Sequence, residues 1–389
     1  MSRVHWLGAG LSTTPGIRRL ANTDQPLIVW NRTLDKAIDA LAGTTGEKKG
    51  TAEAASLDWD MLDASIDAGD VLVSMLPGDF HVKVAKMCVE SKAHFVSSSY
   101  LSPEMTALQS AAVEQGVSLV NEVGLDPGID HLFAHALVDA YTSSKQYSDS
   151  NKLYFRSYCG GVPAVPNDFK YKFSWSPFGV LKALTSPAKW IEEGSEQTTK
   201  TPWKAVTDYK FKMANGKTET FEAYPNRDSL PFIEAYHFKG VWNVEQFVRG
   251  TLRLSGWSSA WDYLFQEIEK MTAKNTQSKL TKLSDELWKQ HAYDKGELDR
   301  VVLVVELEVR DEKGDVVWHQ LHSIDDTGND EGTSMARLVS HTVSLAVEST
   351  VAGEFTPGVH AAPSDSKTVQ AWLKKLSSLN GGFDHSEIT

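Results

Sequence analysis

The sequence predicts an α/β chain of two domains: a doubly wound parallel sheet, and an α+β domain with an antiparallel sheet and a helical insertion. Three observations carry this. Short apolar runs alternate with helix-like stretches through the first third of the chain, as in a parallel sheet. Beyond residue 150, strand-like runs are joined by turn-forming residues, as in hairpins. The length of 389 residues exceeds what one core usually holds, which points to about two or three domains.

Residues 3–7 form the first strand and run into Gly8-Ala9-Gly10-Leu11-Ser12-Thr13-Thr14-Pro15-Gly16; a helix-like stretch (17–21) and a second strand (27–30) follow. Strand, glycine turn, helix and strand make the mononucleotide-binding unit of a Rossmann-type domain. Gly8 permits the tight turn, and Gly10 lets the backbone approach a pyrophosphate at the helix N-terminus, with Leu11 and Ser12 beside it. The usual third glycine is replaced by Thr13. The second strand ends in Asn31-Arg32-Thr33, with no acid before Asp35. An acid there suits the ribose hydroxyls of NAD, whereas an arginine suits a 2′-phosphate. NADP(H) is therefore favoured, NAD(H) is not excluded, and no metal is expected.

A strand at 71–75 ends in Leu76-Pro77-Gly78, and a helix spans 81–91. The strand at 94–96 ends in Ser97-Ser98-Ser99-Tyr100; a helix at 103–115 is capped by Ser102, and a strand at 117–120 follows. Leu76, Ser98 and Ser99 thus fall at strand C-termini, the edge that lines a cofactor crevice. Between the 117–120 strand and a helix at 132–141 stands Asn121-Glu122-Val123-Gly124-Leu125-Asp126-Pro127-Gly128-Ile129-Asp130-His131. Asp130 can cap that helix, and His131 packs or caps. Asp126 precedes a proline, is held extended and has no helix to cap, which marks it as part of a site.

The pattern then changes. A strand at 152–159 leads into Gly160-Gly161-Val162-Pro163, so that Cys159 and Gly160 leave backbone room for a ligand. A strand at 170–175 puts Ser174 and Trp175 where they can line a pocket, and a helix begins at 177–184. Hairpins are expected at 206–213 with 218–223, across Asn215-Gly216, and at 301–310 with 316–322. Arg227, in Tyr224-Pro225-Asn226-Arg227-Asp228-Ser229, and the pair in Arg249-Gly250-Thr251-Leu252-Arg253, after a short strand, offer planar forks matched to carboxylates. Residues 260–289 read as a helical insertion, 334–351 as a long helix buried against the first domain, and the tail after 377 as loose. The expected division is 1–125 and 126–332, with the insertion at about 257–297.

A net charge of −12 argues against nucleic acid or an anionic membrane as partner. No signal peptide and no run of membrane-spanning length is evident. Two cysteines, Cys88 and Cys159, cannot build a disulfide framework or a zinc cluster, so a cytoplasmic setting is expected. No Gly-x-Ser-x-Gly elbow occurs.

Several of these runs resemble the L-glutamate-forming saccharopine dehydrogenases (saccharopine reductases). They are Ser98-Ser99-Tyr100 with Pro103, the whole 121–131 run, Tyr158-Cys159-Gly160-Gly161-Val162-Pro163, Tyr171-Lys172-Phe173-Ser174-Trp175-Ser176, the Tyr224 and Arg249 runs, and Ser334-Met335-Ala336-Arg337. The resemblance implies a Rossmann domain of 1–125 completed by 333–389, and reversible conversion of saccharopine, NAD(P)+ and water to 2-aminoadipate 6-semialdehyde, L-glutamate and NAD(P)H. Carried over by motif, Gly10, Leu11, Asn31, Arg32, Thr33, Leu76, Ser98, Ser99, Leu125, Asp126 and Pro127 would contact the cofactor. Ser99, Tyr100, Asp126, Arg227, Thr251, Leu252 and Arg253 would contact the small-molecule substrate. Asp126 is the candidate for proton handling or ammonium binding, with Tyr100 or a water as the alternative. A homodimer is admitted. The competing readings are a related imine-reducing condensation, such as carboxynorspermidine formation, and a non-catalytic dinucleotide sensor.

Overall fold

Strand β1 (Val4–Leu7) is buried along its length, which is why it reads as a nearly unbroken apolar run rather than an alternating one. It is an interior strand of a seven-stranded parallel sheet. The computed structural model describes residues 2–213, 216–238, 240, 242–271 and 275–389. They form two units: Met1–Leu132 with Asp330–Gly332 and Ala336–Leu379, and Phe133–Asn329 with Thr333–Met335 and Asn380–Thr389.

In the first unit β2 (Leu27–Asn31), β3 (Ala52–Ser56), β4 (Val71–Ser74), β5 (His94–Val96) and β6 (Ser118–Val120) join β1. The order is β6-β5-β4-β1-β2-β3, with a further strand, Gly358–His360, outside β6. Chain order reverses at β1, where β2 and β4 flank it, so the C-terminal ends of these strands form the switch-point edge. Strand β3 and the helices Leu34–Leu41, Thr45–Lys49 and Trp59–Ser65 occupy a stretch for which periodicity carries no expectation. The helix expected at 103–115 is two, Pro103–Thr106 and Gln109–Gln115. Ser102 caps the first of them, accepting from the Met105 N–H at 3.1 Å. The Ser334–Val351 helix forms as expected.

The second unit contains β7 (Lys152–Pro163), β8 (Ala188–Glu192), β9 (Ser195–Thr199), β10 (Thr207–Lys212), β11 (Thr218–Pro225), β12 (Asn243–Leu254), β13 (Asp299–Arg310) and β14 (Val316–Thr327). The order is β10-β11-β12-β7-β13-β14, followed by Phe383–Glu387, with β8 pairing β12 and β9. Both expected hairpins form; the Asn215 position of the first turn lies outside the described residues.

Five expectations need correction. The sheet is mixed rather than antiparallel, because β12 runs parallel to β7. β7 continues through its glycine pair to Pro163, and Arg249 to Arg253 lie inside the long β12 rather than after a short strand. Residues 170–175 form no strand: only Phe173 makes a bridge, to Ala292. Their alternation instead buries Tyr171 and Phe173 in an aromatic core with Trp203, Trp257, Trp261 and Phe265, contributed largely by the helical insertion. The tail is not loose: Ser366–Leu379 is a helix, and Phe383–Glu387 pairs with β14, which puts the last ten residues in the second unit. The insertion consists of Trp257–Ala260, Asp262–Glu269 and Thr276–His291.

Candidate active site

The glycine loop is built as its residue types require. Gly8 has φ of +104°, and a Cβ there would lie 2.8 Å from the Met75 carbonyl oxygen. Gly10 has nothing within 4 Å of such a Cβ, so its backbone stays open to approach. The Asn31 side chain ties the loop to the end of β2: its oxygen accepts from Ala9 N–H at 3.0 Å and its amide donates to the Thr33 carbonyl at 2.8 Å. Both of these side-chain functions therefore serve the turn. Thr13, standing at the third-glycine position, donates to the Gly10 carbonyl at 2.9 Å. The close packing usually given by that glycine falls to Gly16. Its absent side chain lets the Thr14–Ala21 helix rest on the Ser340 backbone, and its N–H donates to Ser340 Oγ at 2.8 Å.

Leu11, Arg32 and Thr33 are exposed and Ser12 half-buried. Arg32 makes no ion pair among the described residues. An open glycine backbone beside a helix N-terminus, with an exposed arginine and no acid at the end of β2, fits a 2′-phosphorylated dinucleotide.

Beyond β5, the Ser97–Leu101 segment is fastened at several points. Ser99 N–H donates to Ser97 Oγ at 3.1 Å, and the Ser99 carbonyl accepts from Glu122 N–H at 3.1 Å. A Glu122 carboxylate oxygen accepts from Leu101 N–H at 2.9 Å, while its other oxygen lies 3.0 Å from His131 Nε2. Ser98 packs beneath Gly124, where a Cβ would meet the Ser98 Cβ at 2.9 Å. Leu76 is half-buried at the end of β4.

Within residues 121–130 every residue is buried except Asp126. Gly124 and Gly128 close the turn: Gly124 N–H donates to the Pro127 carbonyl at 2.8 Å, and the Gly128 backbone sits against that of Gly124. The Asp126–Pro127 peptide is cis. Asp130 sits in the first turn of the Ile129–Thr142 helix rather than before it, and accepts from Gly128 N–H at 2.7 Å. Leu125 and Pro127 are buried scaffold. This scaffold presents the Asp126 carboxylate, which accepts from the Tyr100 hydroxyl at 2.7 Å. Tyr100 and Asp126 together offer an acceptor and a relayed proton at the strand C-termini.

In the second unit, strand alternation sorts the candidates. Arg249, Thr251 and Arg253 share one face of β12; Cys159 and Gly161 share it on β7, and Tyr224 on β11. Gly160 and Leu252 point the other way. Leu252 is fully buried in an apolar cluster, and the room that Gly160 leaves is taken by the Leu252 backbone, 2.5 Å from where a Cβ would stand.

Arg253 is 6% exposed. Its guanidinium lies 4.9 Å from the Tyr171 ring, 5.4 Å from Trp257 and 5.6 Å from Tyr224, and it donates to its neighbour's carbonyl at 3.0 Å. The acid beside it on β11, Glu222, is engaged elsewhere, accepting from Gly256 and Ser258 N–H at 2.8 and 2.7 Å. Arg253 has no carboxylate partner among the described residues. Aromatic faces compensate a buried cation only partly, so this one favours an anionic ligand. Burial raises the pKa of the Tyr171 phenol, which keeps that side of the cage neutral. Ser174 Oγ is buried near Gly161 without a hydrogen-bond partner among the described residues. Trp175 is exposed, and its ring fills the space that a Cβ at Gly179 would take. Arg249 is buried with its guanidinium 3.9 Å from Phe232, and Arg227 is exposed at φ of +57° on the turn after β11.

Sequence reasoning missed two arrangements. His81, read only as a helix start, bridges Ser74 and Ser99. Glu306, Glu308 and His319 converge across the β13–β14 hairpin, a proximity that no linear spacing reveals. Arg156 supplies the cation there, 3.2 Å from Glu306 and 3.7 Å from Glu308. His319 lies 2.6 Å from Glu306.

Comparison with known proteins accounts for nearly the whole chain. Residues 4–120 match the model described as "Saccharopine dehydrogenase NADP binding domain", and residues 124–381 the one described as "Saccharopine dehydrogenase C-terminal domain". Saccharopine dehydrogenase (NADP(+), L-glutamate-forming) from Saccharomyces cerevisiae is 38% identical over 255 residues, covering 64% of this chain and 54% of that protein. The Pyricularia oryzae protein of the same name is 37% identical over 258 residues, covering 65% and 54%. The aligned part of the chain thus spans about half the length of these curated relatives. The solved structure of apo saccharopine dehydrogenase (L-Glu forming) from S. cerevisiae superposes with a TM-score of 0.79 at 27% identity, over 100% of both chains. Homospermidine synthase from Legionella pneumophila, in complex with NAD, shares the fold at a TM-score of 0.62 and 9% identity, over 99% of this chain and 91% of that one. With both of its parts matched by models of one family, the chain belongs to the saccharopine dehydrogenases.

Proposed function

We propose that this chain catalyses the reversible NADP(H)-dependent oxidation of saccharopine, with water, to 2-aminoadipate 6-semialdehyde and L-glutamate. The observation that carries the proposal is the Tyr100–Asp126 pair, the half-buried acid of an otherwise buried loop at the C-terminal edge of a parallel sheet. The names of the curated relatives support the same reaction.

Gly8, Gly10, Leu11 and Ser12 would hold the pyrophosphate, and Asn31, Arg32 and Thr33 the adenosine end. Leu76, Ser98, Ser99, Leu125 and Pro127 would shape the nicotinamide end. Bound there, NADP+ supplies the hydride acceptor. Arg253, caged by aromatic rings and with no carboxylate partner among the described residues, would fix one of the substrate's three carboxylates, aided by Arg227 or Arg249. Thr251, Cys159, Ser174 and Trp175 would line the same side. Fixing the carboxylates holds the amine-bearing carbon in place, which lowers the barrier by orientation. Asp126 would take the proton of the secondary ammonium, because the amine must be free before it can release hydride. Tyr100, donating to Asp126, would steady the carboxylate and relay the proton. Water then adds to the resulting carbon–nitrogen double bond, and glutamate leaves.

The test is absorbance of the reduced nicotinamide, with purified protein, L-saccharopine and NADP+ or NAD+. Saccharopine-dependent reduction with glutamate as product, faster with NADP+, is the expected result. Tight cofactor binding without turnover would overturn the proposal in favour of a sensor.

A further inference from the structure

His81, 7% exposed, opens the His81–Ser91 helix with its ring in T-shaped contact with Phe95. Its Nδ1 lies 2.8 Å from Ser74 Oγ, and its Nε2 lies 2.8 Å from Ser99 Oγ. Ser74 is fully buried at the end of β4, while Ser99 is half-buried just beyond β5. The imidazole thus connects an anchor inside the sheet to a hydroxyl on its ligand-facing edge.

We infer that His81 is a positioning residue for the reaction, acting through Ser99; the inference rests on the function proposed above. A serine hydroxyl ordinarily turns among three staggered positions. Here the Ser99 backbone is held at its N–H by Ser97 and at its carbonyl by Glu122, and His81 holds the hydroxyl. One direction of the Oγ is therefore selected, and its remaining donor or acceptor capacity is aimed at the ligand. Burial lowers the His81 pKa to about 4, so at neutral pH one ring nitrogen donates and the other accepts. If Nδ1 donates to Ser74, Nε2 accepts the Ser99 proton, and Ser99 meets the ligand as an acceptor. The opposite tautomer makes Ser99 a donor. In both cases the ring stays neutral and aims Ser99 without exchanging protons with the substrate.

The core alone does not require this arrangement. An apolar ring of the same size would pack against Phe95, and Ser74 could be alanine. A histidine that only satisfied a buried hydroxyl would need one nitrogen, not both.

The deciding experiment is a pair of double-mutant cycles on the full chain, His81→Phe with Ser99→Ala and Ser74→Ala with Ser99→Ala. We expect His81→Phe and Ser99→Ala each to lower kcat/KM for saccharopine about 10- to 100-fold, mostly through kcat. Ser74→Ala should lower it less. Each double variant should be no worse than Ser99→Ala alone. The pH–rate profile of His81→Phe should keep its shape between pH 6 and 9. Effects that multiply, or an ionisation limb that disappears with His81, would overturn the inference. If His81→Phe does not fold, the Ser74 cycle decides alone. If the wild type does not oxidise saccharopine, the proposed reaction fails by itself, and NADPH affinity from nicotinamide fluorescence is read through the same cycles. Coupled weakening then upholds the aiming role, and independent or absent effects overturn it.

Discussion

Asp126 stands out among its neighbours because its carboxylate is half-exposed while the residues around it in the 121–130 loop are buried. The sequence shows why: Gly124 and Gly128 permit backbone contact inside the loop, and Pro127 blocks a helix before Ile129. If Asp126 takes the ammonium proton, Asp126→Asn should lower kcat about 100-fold. A wild-type rate with an unaltered pH profile would remove it from proton handling. Arg32 was readable by its place after β2, and its exposure, with no ion pair among the described residues, keeps it available. Arg32→Asp should therefore shift the kcat/KM ratio from NADP+ toward NAD+ by about ten-fold or more. An unchanged ratio would show that the 2′-phosphate is bound elsewhere. Arg253 was readable as an arginine for carboxylates, but its aromatic cage was not, since Tyr171, Tyr224 and Trp257 are brought to it by separate elements. Asn31 was readable as a cofactor contact at the end of β2; that its side chain also braces Ala9 and Thr33 was not.

At the scale of elements, periodicity found those whose partners are close in sequence. Strands β1, β2, β4, β5 and β6 and both hairpins fall in this group, whereas β3 and the Gly358–His360 strand, also parallel, do not. It failed where a remote partner decides the conformation. Residues 170–175 alternate like a strand, but Tyr171 and Phe173 face the insertion's aromatic side chains instead of a neighbouring strand. The parallel pairing of β7 with β12 has no local signal, because their connection includes several other elements. The Thr14–Ala21 helix shows the same remote control, since Gly16 is fixed by Ser340. Gly16→Val would force that helix away from the Ser340 backbone. The expected cost is about 1–3 kcal/mol, as for other overpacked contacts. It would be read as a lower denaturant midpoint with weakened NADPH binding, and an unchanged midpoint would show that the contact yields freely.

For the whole molecule, composition indicated more than one core, and the family resemblance that C-terminal segments complete the first; that the last ten residues return to the second unit had no signal. Its acid response follows from histidines held neutral by burial. His81 is lowered to about 4 and His322, stacked between Phe133 and His385, to about 3. Such a group stabilises the fold fully above its unfolded pKa of about 6.5, and the contribution is lost as pH falls toward the folded value. His81 alone would account for a loss on the order of 3 kcal/mol by pH 4. Urea unfolding should therefore show stability falling from pH 6.5 to pH 4, with a shallower slope in His81→Phe. Equal slopes would mean that His81 titrates alike in both states. The helix resting on Gly16 and the strand pairing with β6 also set an order of events during synthesis. Strands β1 to β6 leave the ribosome long before Ser334–Val351 and Gly358–His360 exist. Until then the nascent nucleotide-binding unit has an open β6 edge and an uncovered helix, the kind of exposed surface that recruits chaperones. Its completion is therefore a late event, so a translation arrest between residues 133 and 330 would strand a half-built dinucleotide fold rather than release a working one.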